Sequence, residues 1–440
     1  VDSGEDTETN VISELGGNAF AIIVEEQGSL SSVINTGTIQ ADAAGSGSSA
    51  GAIIDRSGSI TSFSNTGDVL ATIRDGSTGT STALDVRTSS SDISFFNSGT
   101  ITGDIYLGNG SDTFTMTGGT ITGDITLAGG NDVVSISDAT VLGSFLFTTG
   151  NKTASISNST LNGGFVEHGA IIDLSLSNTD WTVTAGEAAT LRTLDVQGSS
   201  TLRVEVDGVN NRAGTVLATG TATLSDTTTI VPVLVSVISD QQRFTLVRAG
   251  QLNANLVFDE ARIAETSYMH TVGLVLDPND PNAIFLDVTR RSAADLGLSE
   301  NTGLYYEASS TALGTDSALF TNLASITEQA GFENALTQFL PDTSNAIMQA
   351  AINQQNMALG AITRRLDRVP AAGFYKNRPT LWLQTMGNYS KQKAIGERPG
   401  YTSWSGGVAI GTDRQINEIT RAGLAFTQLW SFPDELSSFD

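Results

Sequence analysis

The sequence ITGDI at residues 101–105 recurs 20 residues later as ITGDI at 121–125, then as VLGSF at 141–145 and LNGGF at 161–165. Apolar and polar residues alternate within each unit, which is the pattern of a β-strand with one buried face. A fixed period of this length indicates stacked coils of strand, because one unit cannot bury its apolar face alone. The sequence therefore predicts a mainly β fold, a right-handed parallel β-helix in which each coil adds about 4.8 Å along the axis.

Longer coils are predicted before residue 100. The turn sequences NTG at 35–37, NTG at 65–67 and NSG at 97–99 recur at steps of 30 and 32 residues, as expected of corners between short strands. We interpret the additional residues of these coils as loops, for example the Gly/Ser-rich stretch 44–51. Residues 1–184 as a whole are predicted to form a β-helical stem.

Two further segments follow the predicted stem. Residues 185–292 stay β-rich but lose the 20-residue register, which indicates a β cap over the last coil. Residues 293–370 form a predicted α-helical linker, in which Pro341 and Pro370 break the last two helices. The helical spacing of apolar residues predicts four helices, at 299–313, 316–325, 328–340 and 343–368.

Residues 371–440 return to strand alternation, with strands expected at 380–389, 403–411 and 422–432. Trp404, Leu424 and Phe426 fall on the predicted apolar faces of these strands. Strands of about 9–11 residues with one apolar face and aromatic residues near their ends are typical of outer-membrane barrels. A water-soluble antiparallel sheet is the alternative that these strands alone leave open.

Composition limits the classes of partner. The chain has 22 Lys and Arg against 47 Asp and Glu, a formal net charge of −25, and the excess of acid lies before residue 361. So acidic a surface repels nucleic acid, and no nucleic-acid partner is expected. The chain has no cysteine, so stability must come from burial along the coils rather than from disulfides. No run of 18 apolar residues occurs, and no transmembrane helix is predicted.

One corner of the repeat suggests a metal site. The sequence GNGSDTF at 108–114 is similar to part of a calcium-binding nonapeptide, and GNDVV at 130–134 is a partial copy one coil later. If the coils stack, Asp112 and Asp132 could share a calcium ion through their carboxylates and the turn carbonyls. Two nonapeptides per coil would give a period of about 18 residues, however, and Gly and Asp also form ordinary turns. Both interpretations stay open.

No catalytic residue and no bound cofactor other than that calcium are predicted. Asp104 and Asp124 stack in the manner of paired carboxylates in β-helical polysaccharide-acting enzymes, with Arg192 and Arg203 some coils away, but solvated turns explain them as well.

The two histidines and one tryptophan have simple interpretations. His168 and His270 lie far from each other in a chain without cysteine, so no zinc site is expected. Trp181 continues the row of aliphatic residues at 101, 121, 141 and 161 and is predicted to fill the core.

Taken in order, these parts resemble a type V autotransporter of Gram-negative bacteria. The segment GFENALTQFLP at 331–341 is similar to the helical segment before the barrel of that family. LWLQ at 381–384, YTSWSGGVAIGTD at 401–413 and RAGLAF at 421–426 resemble the first three barrel strands. Residues 200–250 are similar to the pertactin-like cap, or autochaperone region. The resemblance covers residues 185–440 by sequence and residues 1–184 by architecture alone.

The resemblance implies a location and a set of partners. Residues 1–292 would be an extracellular passenger at the outer membrane, and residues 371–440 the start of a translocator barrel that this chain leaves incomplete, with three strands of twelve. The complete barrel would contact outer-membrane lipid and the barrel assembly machinery. The passenger would act as an adhesin or structural stalk toward a host, cell or polysaccharide ligand. The alternatives are a β-helical polysaccharide-acting enzyme and a calcium-stapled protein of the surface-layer type.

Overall fold

The computed structural model describes residues 2–3, 9–12, 17–74, 78–238, 241–254, 267–313, 317–338, 345–367, 378–394, 400–416 and 420–436. Pro341 and Pro370, the predicted helix breaks, lie outside these residues. The chain divides into two compact units, residues 1–296 with 308–332 and residues 297–307 with 333–440.

The first unit consists mainly of short strands. In chain order its first half contains β1 (Asp2–Ser3), β2 (Thr9–Ile12), β3 (Ala19–Val24), β4 (Ser32–Asn35), β5 (Thr38–Ala43), β6 (Ser48–Asp55), β7 (Ser62–Asn65), β8 (Asp68–Ile73), β9 (Gly79–Asp85), β10 (Ser94–Asn97), β11 (Thr100–Thr102), β12 (Asp104–Tyr106), β13 (Thr113–Thr117), β14 (Thr120–Thr122), β15 (Ile125–Leu127) and β16 (Val133–Ser137). The strands that follow are β17 (Thr140–Leu142), β18 (Phe145–Phe147), β19 (Gly150–Ser157), β20 (Thr160–Asn162), β21 (Phe165–Glu167), β22 (Ala170–Ser177), β23 (Asp180–Val183), β24 (Ala188–Leu191), β25 (Thr193–Gln197), β26 (Thr201–Asp207), β27 (Arg212–Ala213), β28 (Thr215–Leu224), β29 (Thr229–Leu234), β30 (Gln242–Ala254), β31 (His270–Asp277) and β32 (Asp280–Arg290).

The chain adds these strands to three sheets in turn. Up to β23, every third strand joins the same sheet, and neighbouring strands in each sheet are parallel. Ile105 pairs with Ile125, which pairs with Phe145, which pairs with Phe165, so one repeat of 20 residues is one circuit of the three sheets. The fold is mainly β with parallel-strand sheets, consistent with a solenoid-like class.

The core lies between the sheets and is filled by rows of equivalent residues. Aromatic rings stack along it, with centroid distances of 5.1 Å between Phe63 and Phe95 and 4.3 Å between Phe95 and Phe114. Trp181 is 1% exposed, and its indole N–H donates to the carbonyl of Gly163 at 3.0 Å. The prediction that Trp181 fills the core is confirmed.

The longer coils contain a feature that the turn sequences only partly indicated. Asn35, Asn65 and Asn97 are fully buried, and each amide donates to the next, at 2.7 Å and 2.8 Å. The expected loop at 44–51 is wrong in its second half, because Ser48–Asp55 forms β6. The extra residues of this coil therefore lengthen a strand as well as a turn.

Parallel pairing continues past residue 184. The spacing between paired residues grows from 20 to 21 at Asp180–Thr201 and to 28 at Thr201–Thr229, which explains the loss of register in the sequence. The pairing becomes antiparallel where β30 meets β32 and β32 meets β31. Antiparallel strands in this position end the parallel ladder, as a cap requires.

Helices follow the strands of the first unit. Their bounds lie within three residues of the predicted ones, at α1 (Glu300–Leu313), α2 (Ser317–Ala324), α3 (Gln329–Thr337) and α4 (Ala346–Asp367). Among the described helices, none is both long and apolar enough to cross a membrane.

The second unit contains α4 and a separate antiparallel sheet. The sheet has the order β33 (Thr380–Gln392), β34 (Gly400–Gln415), β35 (Arg421–Leu436), and α4 packs against all three strands. These strands are 13, 16 and 16 residues long. They extend beyond the predicted bounds because main-chain pairing continues through their polar ends.

Candidate functional sites

The two aspartates predicted as calcium ligands lie one coil apart at a buried corner. Asp112 and Asp132 directly precede β13 and β16 and are each 1% exposed. One oxygen of each carboxylate accepts a main-chain N–H from the preceding coil, from Ile93 to Asp112 and from Asp112 to Asp132, both at 2.8 Å. The structure therefore brings the two residues together. In each carboxylate one oxygen, Oδ1, accepts a main-chain N–H.

A lysine occupies the same position in the next coil. The Lys152 ammonium is fully buried and donates to Asp132 Oδ2 at 2.5 Å, to the Ala128 carbonyl at 2.8 Å and to the Gly130 carbonyl at 3.1 Å. Its three protons thus have three acceptors, which a buried ion pair needs in order to offset the loss of hydration. Sequence reasoning missed Lys152, although its 20-residue spacing from Asp132 was the available signal.

In the cluster of Asp112, Asp132 and Lys152, the two carboxylates have different electrostatic environments. Burial raises the pKa of Asp112 to about 7, opposed by the N–H of Ile93 and assisted by the charge of Asp132. Burial also raises the pKa of Asp132, but the hydrogen bond from Lys152 opposes that rise. Asp112 Oδ2 is buried and has no hydrogen-bond partner among the described residues. The cluster therefore contains one carboxylate neutralised by Lys152 and one, Asp112, that no cationic side chain among the described residues contacts.

Calcium binding at this corner stays a prediction. Among the described residues, no group of three or more His, Cys, Asp or Glu side chains comes together as a metal site. Because the Lys152 ammonium lies against Asp132 Oδ2, a divalent ion at that oxygen would meet a positive charge.

The carboxylates considered for polysaccharide chemistry lie on a different corner. Asp104 Oδ1 accepts the N–H of Asp124 at 2.9 Å, and Asp124 Oδ1 accepts the N–H of Ser144 at 2.8 Å. The ion pairs of Arg192 and Arg203 are with Asp173 and Asp180 respectively. These hydrogen bonds are those of the turn interpretation, and the two arginines pair with acids other than Asp104 and Asp124.

The histidines are in contrasting environments. His168 is exposed, whereas His270 is buried in β31, with its Nδ1 3.3 Å from Ser267 Oγ and its ring near Phe320. Burial and the nearby charge of Arg290 lower the pKa of His270 to about 4. At neutral pH the buried imidazole is therefore uncharged.

A surface groove lies on the first coils. It has a volume of about 370 Å³ and a lining of aromatic, aliphatic and charged side chains that includes Phe20, Ile54, Arg56, Asp85 and Arg87. Arg56 pairs with Glu25 and Arg87 with Asp85, so the polar groups at its edge are held in place. This groove could not be predicted from the sequence, because its lining residues come from three separate coils.

In the second unit, one face of the antiparallel sheet is apolar and exposed. Its side chains alternate along all three strands, so they project from the same face. The exposed fractions are 74% for Leu381, 56% for Trp404, 83% for Leu424 and 65% for Phe426. A large contiguous apolar patch marks a binding or membrane surface.

The opposite face of this sheet is polar and contacts α4. Asn353 donates to Ser390 Oγ at 3.3 Å, and Arg365 contacts Asp413 at 2.8 Å. Arg421 approaches the same carboxylate at 3.2 Å, so Asp413 joins the helix to two strands. The helix therefore lies on the polar side of the sheet.

Comparisons with known proteins gave no further assignment. No family model matches the chain, and no curated protein or solved structure matches it.

Proposed function

We propose that this chain is part of a cell-surface autotransporter of a Gram-negative bacterium. Residues 1–184 would be a right-handed β-helical passenger stem, residues 185–292 its cap, residues 293–370 the linker and residues 371–440 the start of the translocator barrel. The passenger would act outside the cell as an adhesin or structural stalk. The complete barrel would lie in outer-membrane lipid after insertion by the barrel assembly machinery.

The observation that carries this proposal is the orientation of the sheet in the second unit. Leu381, Leu424 and Phe426 point away from α4, and polar residues such as Asn388 and Ser390 point toward it. Membrane barrels have this arrangement, with an apolar face toward lipid and a polar interior. A helix in such an interior would find polar partners of the kind that Asn353 and Arg365 have here.

The first unit suits export and assembly outside the cell. A row such as Ile105, Ile125 and Phe145 buries apolar area each time one coil is added to the last. Burial of that area would drive folding coil by coil without an external energy source. The absence of cysteine fits passage through a narrow pore, since no disulfide can form before export.

Single-cysteine labelling tests the proposal, because the chain has no cysteine of its own. Ser155 is exposed on β19, and Leu424 is exposed on the apolar face of β35. In intact cells that make the protein, Ser155→Cys should react with a membrane-impermeant maleimide. Leu424→Cys should react only with a lipid-soluble reagent.

The outcomes are separable. Labelling of Ser155→Cys only after cell lysis would place the first unit inside the cell and reject the passenger assignment. Rapid labelling of Leu424→Cys by the impermeant reagent in isolated outer membranes would reject the lipid-facing sheet. Ala154→Cys, buried between Thr153 and Ser155, is the control and should stay unreactive until the protein is denatured.

A further inference from the structure

The repeat places a second copy of the Lys152 site one coil earlier. The ammonium of Lys152 is held by the carbonyls of Ala128 and Gly130 and by Asp132 Oδ2. Residues 20 positions earlier supply the same three kinds of oxygen, from Gly108, Gly110 and Asp112.

The strands on either side of the two corners are paired in the same register, coil on coil. Tyr106 pairs with Thr126 before the corner, and Thr113 pairs with Val133 after it. At the turn itself, a Cβ on Gly130 would collide with the Gly110 carbonyl, and a Cβ on Gly150 would collide with the Gly130 carbonyl. The carbonyls of Gly110 and Gly130 therefore lie in the same way against the glycine of the next coil.

The two copies differ in the group that contacts these three oxygen atoms. In the later copy that group is the Lys152 ammonium. In the earlier copy Asp132 stands at the position of Lys152, and its Oδ1 accepts the N–H of Asp112. Asp112 Oδ2 is buried without a partner among the described residues, and burying an unpaired carboxylate is costly.

We propose that Asp112 Oδ2 and the carbonyls of Gly108 and Gly110 bind a monovalent cation of about the size of ammonium, potassium being the natural candidate. Lys152 already balances the charge of Asp132, so Asp112 leaves a single negative charge. One positive charge neutralises it, and main-chain carbonyls replace the hydration shell of the ion. Calcium is a poorer match, because it would bring a second positive charge close to the Lys152 ammonium.

Thermal unfolding of the whole chain in different chloride salts tests the site. The salts are potassium, ammonium and choline chloride at equal ionic strength, at about pH 8.5, where Asp112, whose pKa is about 7, is ionised. The melting temperature should be higher in potassium or ammonium than in choline, and the shift should saturate as a binding curve does.

Two variants make the test specific. Asp112→Asn keeps the acceptor for the Ile93 N–H but removes the charge, and it should abolish the difference between salts. Asp92→Asn, at an exposed carboxylate of the neighbouring row, should keep the difference. If Asp112→Asn does not fold, anomalous scattering from rubidium soaked into crystals of the wild type should still show a peak beside Asp112.

Three results would overturn the proposal. The first is a melting temperature that is equal in all three salts, together with no rubidium peak. The second is a melting temperature that changes with pH near 7 but is the same with every cation. That result would mean that Asp112 is protonated rather than bound to a cation. The third is a shift that appears only when calcium chloride is added to the choline buffer, which would support the divalent site shared by Asp112 and Asp132.

Discussion

At the scale of single residues, buried charge is concentrated at one corner of the repeat. Asp112, Asp132 and Lys152 lie in one row, flanked by Ile93 before and Ile172 after. The other ion pairs among the described residues of the first unit, such as Arg56–Glu25, are on the surface. Because burial strengthens electrostatic interactions, this row is where a single substitution will have the largest electrostatic effect.

Lys152→Met should destabilise the first unit by about 3–5 kcal/mol at neutral pH, because it leaves the carboxylate of Asp132 buried without its partner. Arg56→Met, which breaks the exposed ion pair with Glu25, should lower the free energy of unfolding by at most about 1 kcal/mol. Urea unfolding followed by circular dichroism measures both.

A second substitution separates charge from packing in this prediction. Asp132→Asn in the Lys152→Met background removes the unpaired charge, so it should recover part of the lost stability. An equal loss of stability in Lys152→Met and Arg56→Met would show that the buried ion pair stabilises the protein no more than the exposed one.

The buried imidazole of His270 predicts a pH dependence. Its pKa is lowered to about 4, whereas the unfolded chain takes up the proton near its ordinary value of 6.5. Between these values the unfolded state binds more protons, so the contribution of His270 to stability falls as the pH falls from about 6.5 to 4. The loss is at most about 3–4 kcal/mol, from about 1.4 kcal/mol per pKa unit.

The comparison of two histidine variants isolates this effect. Asp112, whose pKa is raised to about 7, acts in the opposite direction, since it favours the folded state as the pH falls from 7 toward 4. The two histidine variants must therefore be compared with each other, because the contribution of Asp112 is the same in both. His270→Asn should remove part of the acid sensitivity of the melting temperature, and the exposed His168→Asn should not. An identical pH profile for both would contradict the prediction.

At the scale of elements, the asparagine row joins three long coils. Asn35, Asn65 and Asn97 end β4, β7 and β10, and their side chains form a continuous chain of hydrogen bonds inside the corner. Each amide also donates to the carbonyl two residues on, at Gly37, Gly67 or Gly99. The row thus fixes both the turn and the stacking of one coil on the next.

Asn65→Ala should lower the free energy of unfolding by about 1–3 kcal/mol or more. The reason is that Asn35 loses its hydrogen-bond acceptor and Asn97 loses its donor inside the protein. Ser64→Ala, on the same strand but with its side chain directed outward, should change stability by no more than about 0.5 kcal/mol. Thermal unfolding of the two variants provides the comparison, and similar losses for both would show that the row is dispensable.

At the scale of the whole molecule, the two units bury apolar surface in different ways. The first unit encloses its aliphatic and aromatic rows between three sheets. The second unit has a sheet whose polar side carries α4 and whose apolar side is exposed. This contrast between a covered and an uncovered apolar face underlies the proposed division into passenger and barrel.

The exposed sheet predicts a dependence on detergent. The purified chain should self-associate in buffer and become monodisperse in a mild detergent, since Leu381, Leu424 and Phe426 remain in contact with water otherwise. Replacing Leu424 and Phe426 by Gln should reduce the association. Size-exclusion chromatography with light scattering measures both states. A chain that is monomeric without detergent would contradict the lipid-facing assignment.

Much of the fold followed from local sequence patterns. The 20-residue period predicted which residues stack, and Ile105, Ile125 and Phe145 do pair in that order. The helices were found by spacing and by proline breaks, and the core position of Trp181 by its place in a row. These properties are encoded in neighbouring residues and in the period of their repetition.

The partners of the polar side chains were decided by the tertiary structure. The Asp132 carboxylate contacts the Lys152 ammonium, Asp104 and Asp124 accept main-chain N–H groups, and the polar face of the last sheet lies under α4. A period specifies which residues are stacked, but a contact depends on the direction in which each side chain leaves the corner and on what packs there. The sequence alone determined the rows of the core, and the packing of coil on coil and helix on sheet determined the chemistry of the sites.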